Sequence, residues 1–93
     1  MLDLKTINWR QDRITERYVE ENHELLALPE KMTPSQLATT ITYCASWINP
    51  YSEALIRKVG HNRPAPVYWT GEEEREYGKY VKAAARQFGI TIY

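Results

Sequence analysis

Apolar positions recur along the chain in four stretches, each with a helical spacing. In the first, a thin stripe of Ile14, Tyr18 and Leu25, interrupted by the polar Asn22, runs through otherwise charged sequence. Asn8, with Gln11 three residues on, carries the signature of a capping box. Arg13 with Glu16 and Arg17 with Glu21 supply favourable pairs three and four residues apart. The pattern predicts a helix over about 9–27, stopped by Pro29 because a residue before proline avoids the α region.

The second stretch has the best-specified start. Thr33 reads as an N-cap, Pro34 as the first helical residue, and Gln36 closes the box, with Met32 and Leu37 placed to staple the entry. Leu37, Ile41, Cys44 and Ile48 then recur at i, i+4, i+7 and i+11, beside a second stripe of Thr40, Tyr43 and Trp47. The spacing predicts an uncharged helix over 34–48, buried on several sides. Asn49-Pro50 restarts a third helix over 50–59, which buries Tyr51, Leu55, Ile56 and Val59 and places Arg57 and Lys58 in its last turn, before Gly60.

The segment from His61 to Trp69, with Pro64 and Pro66, reads as an extended loop. Thr70 and Glu73 open a fourth helix over 71–88, whose first turn holds Glu72, Glu73 and Glu74 at the positive end of the helix dipole. Its expected core face is Tyr77, Val81, Ala84 and Phe88, with Gly89 as the terminating residue. Ile90 to Tyr93 alternate weakly, and a lone strand would lack a partner, so a packed apolar tail is expected. The fold class is all-α: a single small four-helix domain over 1–93 with a short apolar C-terminal tail.

Composition narrows the function classes. Lys and Arg total 12 and Asp and Glu total 12, so the formal charge is zero and bulk electrostatic binding of nucleic acid or membrane is disfavoured. Three Trp and seven Tyr against one Phe put much of the apolar area on side chains with a polar tip, suited to half-buried positions and interfaces. One cysteine allows no internal disulfide, which fits a reducing cytoplasmic setting. The first nine residues contain Asp3 and Lys5 and no apolar run, unlike a signal peptide. The uncharged 32–52 stretch is too rich in Thr, Ser, Asn and Pro to span a bilayer.

No catalytic, metal or cofactor site is expected. Two distant His and one Cys on a core stripe do not give ligand spacing, and no serine stands in a nucleophile elbow. Cys44 reads as a buried small hydrophobe.

Three groups of residues are candidates for binding. Arg57, Lys58, His61 and Arg63 are followed closely by Tyr68 and Trp69, the mixture found in protein hot spots and equally in base-stacking sites. Arg75, Lys79, Lys82 and Arg86 fall within roughly 60° of one another on the fourth helix, opposite its core face. Tyr43, Trp47 and Tyr51 form an aromatic set that is either core or, if one side of the uncharged helix is open, a homodimer surface.

The leading expectation is a non-enzymatic cytoplasmic interaction protein that binds a protein partner as an adaptor or inhibitor, of a size common among phage and mobile-element accessory proteins. The alternative is a nucleic-acid or nucleotide binder using the same cations for phosphate and Tyr68 or Trp69 for stacking.

Overall fold

The order of elements follows the caps more than the apolar periodicity. A computed structural model describes residues 1–59 and 70–92. Among these, five α-helices are present: α1 (Arg13–Glu21), α2 (His23–Leu26), α3 (Pro34–Ile41), α4 (Pro50–Lys58) and α5 (Gly71–Arg86). Short 3-10 turns at Leu4–Thr6 and Pro29–Lys31 precede α1 and α3, and no strand is present among the described residues. The fold is all-α.

The first predicted helix is shorter than expected and split. Asp12, not Asn8, is the N-cap, accepting a hydrogen bond from the Thr15 backbone N–H at 2.7 Å. Asn8 is used elsewhere: its carbonyl accepts from Ala45 N, Arg10 N donates to the Tyr43 carbonyl, and Trp9 faces Cys44 in an isolated antiparallel bridge. That pairing holds residues 8–10 extended, so helix can begin only after Asp12. Asn22, whose amide donates to the Tyr18 carbonyl at 2.8 Å, interrupts the helix between α1 and α2. Consequently Ile14 is 71% exposed instead of buried, and Thr15 takes the inward position.

The uncharged helix also ends early, at Ile41 rather than Ile48. Its start is as expected: Thr33 Oγ1 accepts from Gln36 N, the Gln36 side chain accepts from Thr33 N, and Met32 and Leu37 are fully buried. Past Ile41 the backbone tightens into i to i+3 bonds, with Thr42 N, Tyr43 N and Cys44 N donating to the Thr39, Thr40 and Ile41 carbonyls. Residues 42–49 are then held by local side-chain bonds. The Thr42 hydroxyl donates to the Thr39 carbonyl, and Asn49 Nδ2 donates to the Ser46 carbonyl. Ser, Thr and Asn compete with helix in this way, and here the competition wins because the N-terminal segment supplies the missing backbone partners.

Helices α4 and α5 match their predicted starts. Asn49 caps α4 through Ser52 N at 2.8 Å, and Thr70 caps α5 through Glu73 N at 3.1 Å. Gly89, at φ +71°, ends α5: Gly89 N donates to the Arg86 carbonyl and Ile90 N to the Ala85 carbonyl, a Schellman pattern. The core face of α5 is Tyr77, Val81, Ala84 and Ala85. Phe88, expected there, is 39% exposed because the helix ends before it. The tail from Ile90 to Ile92 forms no strand, and Ile92 is buried.

The core joins Leu26, Met32, Leu37, Ile41, Tyr51, Leu55 and Val81, drawn from α2 through α5. Tyr51 is at its centre. It is 0% exposed, and its hydroxyl donates to the Leu26 carbonyl at 2.7 Å, which satisfies the one polar atom of an otherwise apolar burial. A Cα radius of gyration of 12.5 Å agrees with the roughly 12 Å expected for a packed chain of this length.

Candidate protein-binding surface

Helix α5 has three sectors around its axis, and the chemistry lies where the second meets the third. Taking about 100° per residue and Glu74 as origin, Gly78 falls near 40° and Lys82 near 80°. Arg75, Arg86 and Lys79 follow between about 100° and 140°, beyond the apolar face of Tyr77, Val81, Ala84 and Ala85.

The second sector seats the irregular 42–49 segment. Glu74 accepts from the Ser46 hydroxyl at 2.7 Å and from Trp47 N at 3.3 Å. One turn on, the Trp47 ring rests on Gly78. Another turn on, the Lys82 ammonium stands 5.2 Å from the centre of that ring. Residues 74, 78 and 82 therefore supply a hydrogen-bond acceptor, a flat backbone and a cation to one neighbour. Trp47 is half-buried, packed against the core at its margin with Lys82 over its ring.

The third sector carries the predicted basic stripe, which spans about 16 Å of helix. Its members make only weak local contacts. Arg75 Nε donates to the Gly71 carbonyl at 3.2 Å, and Lys79 pairs with Glu76 at 3.4 Å in an exposed contact. Arg86 is exposed in the last turn. Exposed pairs of this kind contribute about 0–1 kcal/mol, so a partner can displace them at small cost.

The other predicted residues are dispersed. Lys58 donates from Nζ to the Met32 carbonyl at 2.8 Å and to the Glu30 carbonyl at 3.1 Å, fastening α4 to the turn before α3. Arg57 is exposed and lines a cleft of about 300 Å³ with Glu30 and Glu53. His61, Arg63, Tyr68 and Trp69 lie outside the described residues. The three rings taken as one aromatic set go to three places. Tyr43 stacks on Tyr18 with centroids 4.0 Å apart, Trp47 sits on α5, and Tyr51 is enclosed in the core against Trp9 at 5.7 Å. Tyr51 thus has no surface to offer a second copy of the folded chain.

Sequence reasoning did not single out Ser46 or Gly78 as site residues, and it read Glu74 only as a carboxylate at the positive end of the helix dipole. A glycine in mid-helix was the available signal, because it weakens a helix and often marks a close approach.

Burial raises one thiol and several phenols. It pushes the Cys44 thiol up to about 12, and the thiol donates to the Thr40 carbonyl. Burial likewise pushes Tyr77 up to about 12 and raises Tyr51 further. No group of three His, Cys, Asp or Glu side chains among the described residues could hold a metal ion. No helix of the described residues is long and apolar enough to cross a membrane. Compared with protein-family models, curated proteins and solved structures, the chain matches none of them.

Proposed function

We propose that this chain is a non-enzymatic interaction protein that binds a protein partner, as an adaptor or inhibitor, through the outer face of α5. The observation that carries the reading is the partly buried Trp47 ring that meets both Gly78 and Lys82 at the edge of the Arg75, Lys79, Arg86 stripe. A pre-positioned aromatic anchor bordered by cations is the make-up of an interface hot spot, and Trp and Arg dominate such sites. The cations set orientation and approach rate toward an acidic surface.

The test is affinity capture from the native cells with the wild-type chain and with Trp47→Ala combined with Lys79→Glu. A lost partner, with helix content intact by circular dichroism, supports the reading. A partner retained at undiminished affinity removes the α5 face from consideration. Nucleic acid is the competing outcome. Tight binding of DNA or RNA probes that falls steeply with salt would replace the protein partner by a phosphate backbone.

A further inference from the structure

Charge along the folded chain is separated although the total is zero. Residues 77–92 contain Lys79, Lys82 and Arg86 and no acid, whereas residues 16–24 contain Glu16, Glu20, Glu21 and Glu24 against a single Arg17. Arg17 is engaged by Glu21 at 3.6 Å. Glu16 and Glu20 are exposed and take part in no ion pair among the described residues.

These two carboxylates border a cleft of about 270 Å³ whose floor is Trp9, Thr15 and Val19, with Arg10 at one side. Trp9 and Val19 are half-buried and Thr15 is buried. The Trp9 Nε1–H is already donated to the Leu4 carbonyl, so its ring offers the cleft only an apolar surface. An apolar floor whose rim sets two carboxylates against one guanidinium suits a side chain with an aliphatic stem and a cationic head on the Glu16 and Glu20 side. On this chain the exposed end of α5 presents such side chains at helical spacing. Their present contacts, Lys79 with Glu76 and Lys82 over Trp47, are weak and solvent-exposed or half-exposed.

We infer that the chain associates with a second copy of itself, the Lys79, Lys82 and Arg86 end of α5 in one copy packing on the Glu16 and Glu20 cleft of the other. The contact joins two different patches of the same surface. It is made twice in a closed pair and once per junction in an open series. Zero net charge removes the long-range repulsion that would oppose the encounter. The inference goes beyond the partner reading and uses a cleft that reading does not need. Changing Glu16 and Glu20 should therefore weaken self-association while leaving capture of a foreign partner by α5 intact, and the two readings fail separately.

The experiment is sedimentation velocity across a wide concentration range at low and high salt. Four samples are compared: the wild-type chain, Glu16→Lys/Glu20→Lys, Lys79→Glu/Lys82→Glu, and an equimolar mixture of the two variants. The expected result is association of the wild type that weakens with salt. Each variant alone should have its dissociation constant raised by roughly tenfold or more, and association should return in the mixture, where each basic patch again meets an acidic one. Glu16→Gln/Glu20→Gln serves if either reversal disturbs the circular-dichroism spectrum, and it should weaken association in the same direction. A wild type that stays monomeric throughout overturns the inference. So does association that ignores the variants, or a mixture that stays monomeric.

Discussion

The Trp47 indole lies on the backbone of Gly78 so closely that a Cβ built at that glycine would come within 2.8 Å of three ring atoms. Gly78→Ala should therefore have opposite effects in two backgrounds. With Trp47 present, overpacking costs roughly 1–3 kcal/mol and outweighs the roughly 1 kcal/mol gained in helix propensity, so the urea midpoint falls. With Trp47→Ala already made, the same substitution should raise the midpoint. Equal shifts in both backgrounds would show that the ring does not rest there.

Glu74 holds the same segment by its backbone. Glu74→Ala removes the acceptor for the Ser46 hydroxyl and Trp47 N and should cost about 1–2 kcal/mol. Amide exchange at Trp47 should accelerate while Gln36 and Leu37, inside the separately capped α3, keep their protection. Unchanged exchange at Trp47 would contradict the latch.

Tyr51→Phe leaves the ring and removes only the hydroxyl given to Leu26. A buried carbonyl losing its partner costs roughly 1–2 kcal/mol. A loss below a few tenths, measured by urea denaturation, would mean that water replaces the hydroxyl.

Alkaline stability follows from the raised thiol and phenols. An unfolded Cys44 releases its proton near 9.0, while the folded thiol holds it to about 12, so above the lower value the folded state binds more protons. Its stabilising contribution is complete below pH 9 and is lost as the pH rises toward 12. Tyr77, ordinarily near 10.0 and raised to about 12, adds a decline of the same sign that begins one unit later. Urea midpoints should thus fall as the pH rises above 9, and Cys44→Ala should flatten the first part of the fall, between pH 9 and 10. A thiol reagent near neutral pH should label Cys44 only at the rate of unfolding.

Much of the fold was legible because caps are local. Thr33 with Gln36, Asn49 with Ser52, Thr70 with Glu73, and Gly89 each act within about three residues; the three N-caps fixed a helix start where expected, and Gly89 stops α5 two residues sooner than the apolar spacing implied. The errors arose where a distant segment decided. Asn8 and Asp12 are both competent caps, and the choice fell to Asp12 because the Asn8 carbonyl pairs with Ala45. Leu37, Ile41 and Cys44 keep helical spacing, yet Cys44 reaches the core through its bridge to Trp9, not through a continuing helix. The basic stripe could be read from one helix alone. Its neighbour Trp47 could not, since the contact with Gly78 joins residues far apart in sequence.

The eight residues between α3 and α4 also set an order of assembly. Their backbone is closed on one side by Asn8 and Arg10 and on the other by Glu74, partners near opposite ends of the chain. Helix α3 can nucleate on its own capping box, but this joint must await the arrival of both flanks and bears the loop-closure entropy of each. It should be the last part of the fold to form and the first to open. Trimming either end of the polypeptide should loosen its middle, leaving the Trp47 anchor unset in chains whose nearest helices are still formed.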